Sequence, residues 1–93
     1  MMPFKAERME VLSDGFFSTL RFLAKCPCGE MSYVALDVTS RPHPEFLVED
    51  LWGRLTYHLV VKDGWASAPE PALLDGITEE VRVFYEAYLS KEE

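Results

Sequence analysis

Apolar and polar residues alternate along the first part of the chain, which is the pattern of strands that bury one face of a sheet. Two such runs, residues 16–25 and 31–38, flank the short turn 26–30. Pairing Lys25 with Met31 places the largest apolar residues on one face. The opposite pairs are then Phe22 with Val34, Leu20 with Leu36 and Ser18 with Val38. A slip of one residue would turn this face to solvent, so the pattern predicts the register of a β-hairpin.

A second turn precedes this hairpin. Ser13-Asp14-Gly15-Phe16 carries Asp-Gly between apolar flanks, a signal for a two-residue hairpin loop with positive φ at both loop positions. If Ser13 pairs with Phe16, Met9 lies opposite Leu20 and Val11 lies opposite Ser18. Met9 then shares the apolar face of the hairpin, so the sequence predicts a three-stranded antiparallel meander.

The other face of the predicted sheet also carries apolar residues. Leu23 is expected across from Tyr33, and Leu12 across from Phe17. Such pairs indicate a surface that something else covers. Cover by the N-terminal arm around Phe4, or ordinary surface apolarity, is the alternative.

The second half of the chain has helical spacing. A helix is expected to begin at Pro44, and Glu45 suits its positive end. An apolar row at intervals of four predicts its buried side, and Gly64 is expected to end it. The apolar row is Leu47, Leu51, Leu55 and Leu59, and the polar row beside it is Asp50, Arg54, His58 and Lys62, with Asp50 and Arg54 as an ion pair. Because residues 55–61 are also rich in strand formers, a fourth strand is the competing interpretation.

A connector and a last helix complete the prediction. Residues 65–74 contain two prolines and are expected to be extended, with Trp65 as an anchor. A helix is expected from about Thr78 to Leu89, with Ile77, Val81, Phe84 and Tyr88 facing inward. The predicted fold class is α+β, a βββαα two-layer sandwich with both helices on one face of the sheet.

Composition narrows the possible functions. The 93 residues are expected to form one domain, residues 1–93, and their formal charge of −7 repels phosphate backbones. Direct binding of nucleic acid is therefore excluded, and no apolar run has the length of a membrane span. The N-terminus has no apolar signal-peptide core, so a cytoplasmic protein is expected. The absence of Asn and Gln is typical of heat-adapted proteins and also of GC-rich genomes.

The motif Cys26-Pro27-Cys28-Gly29 is the strongest chemical signal. It resembles a zinc knuckle but is one residue short and has no second cysteine pair. The first predicted helix runs back along the sheet, so His58 is expected near the cysteine turn, whereas His43 is expected at the far end. Cys26, Cys28 and His58 therefore form a candidate zinc set, with Asp63 or a partner chain as a fourth ligand. The alternatives are two reduced cysteines in a tight turn or a redox pair, and no cofactor is then needed.

No catalytic motif is present in the sequence. Nothing in the spacing of Ser, His and Asp marks a triad, and Glu49-Asp50 and Glu79-Glu80 have the pattern of solvated helix residues. The sequence therefore favours a non-enzymatic role.

The leading functional hypothesis is a small protein-interaction module that forms a homodimer. The first predicted strand carries several charges, which protect an edge from pairing, whereas Asp37 is the one charge between Met31 and Val38. Residues 31–38 are therefore expected to pair with the same strand of a second copy. The predicted interface residues are Phe17, Leu23, Tyr33, Ala35 and Asp37. The alternative is an acidic inhibitor, encoded by a phage or mobile element, that occupies the cationic groove of a nucleic-acid-binding protein.

Overall fold

The computed structural model describes residues 4–26, 30–61 and 71–91. Three strands, β1 (Lys5–Ser13), β2 (Ser18–Lys25) and β3 (Met31–Asp37), are followed by two helices, α1 (Pro44–Val61) and α2 (Ala72–Lys91). The strands form one antiparallel sheet in the order β1-β2-β3, and buried residues of both helices join the apolar face of this sheet in one core. The predicted βββαα architecture is confirmed.

The register of β2 and β3 is the predicted one. Lys25 pairs with Met31, Phe22 with Val34 and Leu20 with Leu36. Leu20, Phe22 and Leu36 are completely buried, so alternation alone identified the core face.

The predicted two-residue turn between β1 and β2 is wrong. Ser13 pairs with Ser18, and Val11, not Met9, lies opposite Leu20. Asp14 explains the longer loop, because its carboxylate Oδ1 accepts the backbone N–H groups of Phe16 (2.9 Å) and Phe17 (2.8 Å). These bonds lower the pKa of Asp14 below its usual value of 3.8.

The error does not move Val11 off the core face. From Glu10 to Ser13 the true register differs from the predicted one by two residues, and a shift of two leaves each of these side chains on its predicted face; at Lys5–Glu7, beyond the register shift, the difference is one residue. Met9 and Val11 are accordingly half-buried against the core. The predicted pairing of Leu12 with Phe17 is wrong, since Leu12 lies opposite Thr19.

Residues 55–61 belong to helix α1, so the competing interpretation of these residues as a fourth strand is wrong. Its buried residues are the predicted row Leu47, Leu51, Leu55 and Leu59. Arg54 Nε and Asp50 Oδ2 lie 3.2 Å apart, which confirms the predicted ion pair. The predicted end at Gly64 and the anchor Trp65 lie outside the described residues.

Helix α2 begins six residues before the predicted start at Thr78. Residues 72–74, predicted as extended, form its first turn because Leu73 and Leu74 are buried and the Pro71 carbonyl accepts the N–H groups of Leu74 and Asp75, both at 2.9 Å. Ile77 and Val81 face inward as predicted, and Tyr85, which was not predicted, is completely buried. Packing of consecutive apolar residues outweighs the extended preference of the prolines.

Phe4 does not cover the outer face of the sheet. It is buried in the core, and its N–H donates to the carbonyl of Leu73 at 3.2 Å. The outer face consequently has no cover from any element of the described chain. Neither of the two described helices has both the length and the apolar character needed to cross a bilayer.

Candidate functional site

Strand β3 lies at the edge of the sheet and presents backbone groups outward. The N–H of Cys26 donates to the carbonyl of Glu30 (2.8 Å), and the N–H of Val38 donates to the carbonyl of Ser18 (2.9 Å). These two bonds identify which of the opposite residues in β2 and β3 form hydrogen-bonded pairs. The even-numbered residues of β3 therefore bond to β2, and the N–H and C=O groups of the odd-numbered residues point away from the sheet. Among the described elements, no strand pairs with this side of β3.

One outward-facing group of β3 has a partner in α1. Arg54 Nη1 donates to the carbonyl oxygen of Ala35 at 3.0 Å. Since Arg54 also pairs with Asp50 in the preceding turn of α1, the helix is positioned alongside the strand edge. Helical spacing predicts the ion pair but not the contact with Ala35, because it contains no information about which strand a helix will meet.

A groove of about 340 Å³ separates the edge of β3 from α1. We call it the edge groove. Its lining residues come from the N-terminal segment, β2, β3 and α1: they are Phe4, Ala24, Ser32, Tyr33, Val34, Ala35, Arg54, Leu55, Tyr57, His58 and Val61. A strand edge beside an apolar groove is the arrangement that binds extended peptides by strand addition.

The five predicted interface residues all belong to the uncovered side of the sheet. Leu23 is half-buried and lies opposite Tyr33, as predicted, and Tyr33 is 66% exposed. Phe17 is 67% exposed and lines a shallow depression of this face together with Ala35. Phe17 thus belongs to the turn before β2, whereas Tyr33, Ala35 and Asp37 belong to the edge strand itself.

Three charged side chains on this side of the sheet have partners within the subunit: Glu10, Arg21 and Asp37. Arg21 Nε lies 2.6 Å from Glu10 Oε1, and the Arg21 guanidinium carbon lies 5.9 Å from the centre of the Tyr33 ring. Asp37 accepts hydrogen bonds from the hydroxyl (2.6 Å) and the backbone N–H (2.9 Å) of Thr39, which lower the pKa of its carboxyl. Asp37 therefore stays ionised, and it is the one charged residue of β3.

No protein-family model, no curated protein and no solved structure matches this chain. The assignment of a function therefore depends on the side chains of the site. The described residues offer two features, the β3 edge with its groove and a contact between a cysteine and a histidine.

Cys26 and His58 are in direct contact. Cys26 Sγ lies 3.2 Å from His58 Nε2 at the end of β2, and Cys26 is buried. The Phe4 ring meets His58 edge-on, with 5.9 Å between ring centres. The sequence-based expectation that α1 returns His58 to the cysteine turn is therefore correct.

The rest of the predicted zinc set falls outside the described residues, which include neither Cys28 nor Asp63. Within the part of the chain that the structure describes, no group of three or more metal-binding side chains is present. His43 has a different role: its Nδ1 accepts the N–H of Glu45 at 3.2 Å, and its carbonyl accepts the N–H groups of Phe46 and Leu47. It therefore caps the start of α1.

Proposed function

We propose that this protein is a small interaction module that forms a homodimer by antiparallel pairing of β3 with β3 of a second copy. The observation that carries the proposal is the row of outward-facing backbone groups at Tyr33, Ala35 and Asp37, beside the edge groove. Pairing would join two three-stranded sheets into one and give these groups hydrogen-bond partners. It would also extend the exposed apolar face of the sheet across both subunits.

The two edges of the sheet differ in a way that favours β3. Strand β1 carries Lys5, Glu7, Arg8 and Glu10, and its register shifts between Glu7 and Glu10. Arg8 adopts a φ of 57° in this bulge. Charges and bulges both oppose strand addition at an edge. Strand β3 has a regular register and one charge, so a second copy is expected to add there.

Strand pairing at this edge would break one hydrogen bond of Arg54. An incoming strand has to replace its hydrogen bond to Ala35, and a single exposed hydrogen bond contributes about 1 kcal/mol. An antiparallel pair centred in β3 would form on the order of six new backbone hydrogen bonds. The exchange therefore favours pairing, and Arg54 keeps Asp50 as a partner in either state.

Ala35→Pro is expected to convert the dimer to a monomer without unfolding the subunit. The N–H of Ala35 points away from β2, so proline removes no hydrogen bond of the sheet but blocks the incoming strand. We expect the dimer dissociation constant to rise at least about 100-fold, because several backbone hydrogen bonds are lost together. Sedimentation velocity from about 1 to 100 µM measures the oligomeric state. Circular dichroism checks that the variant is folded.

Ser13→Pro provides the matched control at the opposite edge. The bond between Asp14 and Phe17 shows that the N–H of Ser13 also points away from its neighbouring strand. This variant should remain as dimeric as the wild type. A wild-type protein that stays monomeric at 100 µM, or an Ala35→Pro variant that dimerises normally, would contradict the proposal.

Salt dependence separates the homodimer from the acidic inhibitor that the composition also suggests. Each subunit carries a formal charge of −7, so two copies repel and added salt should strengthen or preserve their association. Binding to a cationic groove should instead weaken as salt rises.

A second candidate function is zinc-dependent regulation, which the contact between Cys26 and His58 favours. Two ligands of one tetrahedral zinc ion, a thiolate and an imidazole, lie about 3.6 Å apart. The observed separation of 3.2 Å between Sγ and Nε2 is close to that value. Such a site would need two further ligands, for which Cys28 is the nearest candidate in sequence.

Zinc is expected to bind with one ion per chain and to raise the melting temperature, because it would tie the end of β2 to α1. Elemental analysis and thermal melts with and without a chelator measure both effects. Cys26→Ser and His58→Gln should abolish them, whereas His43→Gln, which alters the other histidine, should not. Purified protein that binds no zinc and melts identically after chelation would rule this candidate out.

A further inference from the structure

One side of helix α1 takes no part in the core. Gly53 lies two residues from both Leu51 and Leu55 of the buried leucine row, so it points directly away from the sheet. Four further residues lie four or seven positions from Gly53 in the sequence, and they therefore point within about 40° of the same direction. Together with Gly53 they form a surface that we call the outer α1 face: Phe46, Glu49, Tyr57 and Val60.

The outer α1 face is more apolar than the solvent side of a helix ordinarily is. Phe46 and Tyr57 are each 68% exposed, and Val60 is 37% exposed. The Phe46 ring meets the His43 ring edge-on, with 6.3 Å between their centres, and still keeps most of its surface in solvent. Large apolar side chains in one exposed row indicate a surface that contacts another molecule.

Gly53 leaves a shallow depression of about 660 Å³ in the middle of this face. Glycine is among the least favourable residues inside a helix. A Cβ atom added at Gly53 would meet nothing within 4 Å, so the described part of the subunit does not require glycine here. The lack of a side chain allows the backbone of a partner to approach closely between the two aromatic rings.

The two helices carry the negative charge of the described elements. Together α1 and α2 have seven acidic residues and three basic ones. The three strands have three acidic residues and four basic ones. A molecule that is attracted to the outer side of the helix layer is therefore cationic.

Glu49 places one of these negative charges beside the depression. It lies one helical turn before Gly53 and lines the depression together with Asp50. Asp50 pairs with Arg54 at 3.2 Å, whereas Glu49 has no ion-pair partner among the residues that the structure describes. A basic side chain of a partner that covers the aromatic rings would therefore gain the carboxylate of Glu49.

The shape of the outer α1 face selects a helix as its partner. The backbone N–H and C=O groups in the middle of α1 are bonded within the helix, so strand addition cannot occur on this surface. Phe46 and Val60 are separated by four helical turns, or about 21 Å along the axis. An amphipathic helix carries apolar residues at the same spacing and can lie along this row.

We infer that the outer α1 face docks a cationic amphipathic helix of another protein, packed across Gly53. Its apolar residues would cover Phe46, Tyr57 and Val60, and a lysine or arginine beside them would pair with Glu49. This docking does not depend on the proposed homodimer, because Gly53 points away from the sheet and from any strand that adds to β3.

A synthetic peptide serves as the probe. It is a fluorescently labelled amphipathic helix of about 18 residues, with leucine on one side and lysine on the other. A second peptide has the same leucines and glutamate in place of every lysine. Fluorescence anisotropy is expected to show a Kd of about 1–100 µM for the lysine peptide and binding at least about 10-fold weaker for the glutamate peptide.

Two pairs of variants test whether the peptide binds at the outer α1 face. Gly53→Leu fills the depression and should weaken binding at least about 10-fold, whereas Gly76→Leu, at a helical glycine that also has free space around it, should not. Glu49→Lys should weaken binding at least about 10-fold, whereas Glu7→Lys, with the same change in net charge on β1, should change it less than about 2-fold. Circular dichroism checks that all four variants are folded.

Each outcome decides for or against the docking. Weakening by Gly53→Leu and Glu49→Lys but not by their controls supports it. Equal weakening by Glu49→Lys and Glu7→Lys would show that only the overall negative charge attracts the peptide, and would overturn it. A lysine peptide that does not bind the wild type at 100 µM, or that binds Gly53→Leu as well as the wild type, would also overturn it.

Discussion

Replacing Phe22 by alanine is expected to destabilise the protein by about 3–5 kcal/mol, a large share of the 5–15 kcal/mol typical of a whole domain. Phe22 is completely buried in the central strand and lies opposite Val34 beneath both helices. Neighbouring strands and helices hold the surrounding side chains in place, so the space left by the ring cannot close fully. Urea unfolding followed by circular dichroism at a fixed protein concentration measures the change.

Tyr33→Ala is the matched control for Phe22→Ala. It removes an aromatic ring of similar size from the same hairpin, but from the exposed face. The expected loss is below about 1 kcal/mol in the monomer. Equal losses of stability in the two variants would contradict the burial of Phe22 and the exposure of Tyr33.

Tyr85→Phe is expected to cost about 1–3 kcal/mol, because it removes one hydrogen bond without changing the packing of the ring. The Tyr85 hydroxyl donates to the carbonyl oxygen of Pro42 at 2.5 Å and so connects α2 to the segment before α1. The ring itself is completely buried and stacks at 6.4 Å on Tyr88. Tyr57→Phe, at an exposed position, is the control and should be close to neutral.

The pH dependence of Tyr85→Phe has a definite sign. Burial raises the pKa of Tyr85 above its usual value of 10.0, and the positive charge of Arg41 opposes this only in part. The folded protein therefore keeps the phenol proton more tightly than the unfolded chain does. This contribution to stability is complete below pH 10.0 and is lost as the pH rises through the pKa of the folded state.

The stability difference between wild type and Tyr85→Phe should therefore shrink as the pH rises from about 8 to about 11. Urea unfolding of both proteins across this range measures it, and the subtraction removes the contribution of the other tyrosines and lysines. A difference that stays constant or grows above pH 10.0 would contradict the assigned environment of Tyr85.

Alternation of apolar residues was sufficient to predict the pairing of β2 with β3. Leu20, Phe22 and Leu36 can be buried together in one register only, since a slip of one residue exposes all of them. Helical spacing was likewise sufficient for α1, where four leucines at intervals of four all became buried. In both cases the information lies within one or two neighbouring elements.

Local signals failed where a side chain or distant packing competed with them. The Asp14 carboxylate bonded two backbone N–H groups and lengthened a turn that Asp-Gly would ordinarily close in two residues. Burial of Leu73 and Leu74 extended α2 into a segment that its prolines marked as extended. Each error concerned a boundary or a register, and the order of the elements was unaffected.

The sequence by itself determined the βββαα order, the core face of the sheet and the return of His58 towards Cys26, because these follow from periodicity and from the length of a strand compared with a helix. Only the tertiary structure decided that Arg54 meets the Ala35 carbonyl and that Tyr57 and Val61 line the groove beside the β3 edge. These contacts depend on how the helix layer is placed across the sheet. That placement is set by the packing of all core side chains together, which no single stretch of sequence encodes.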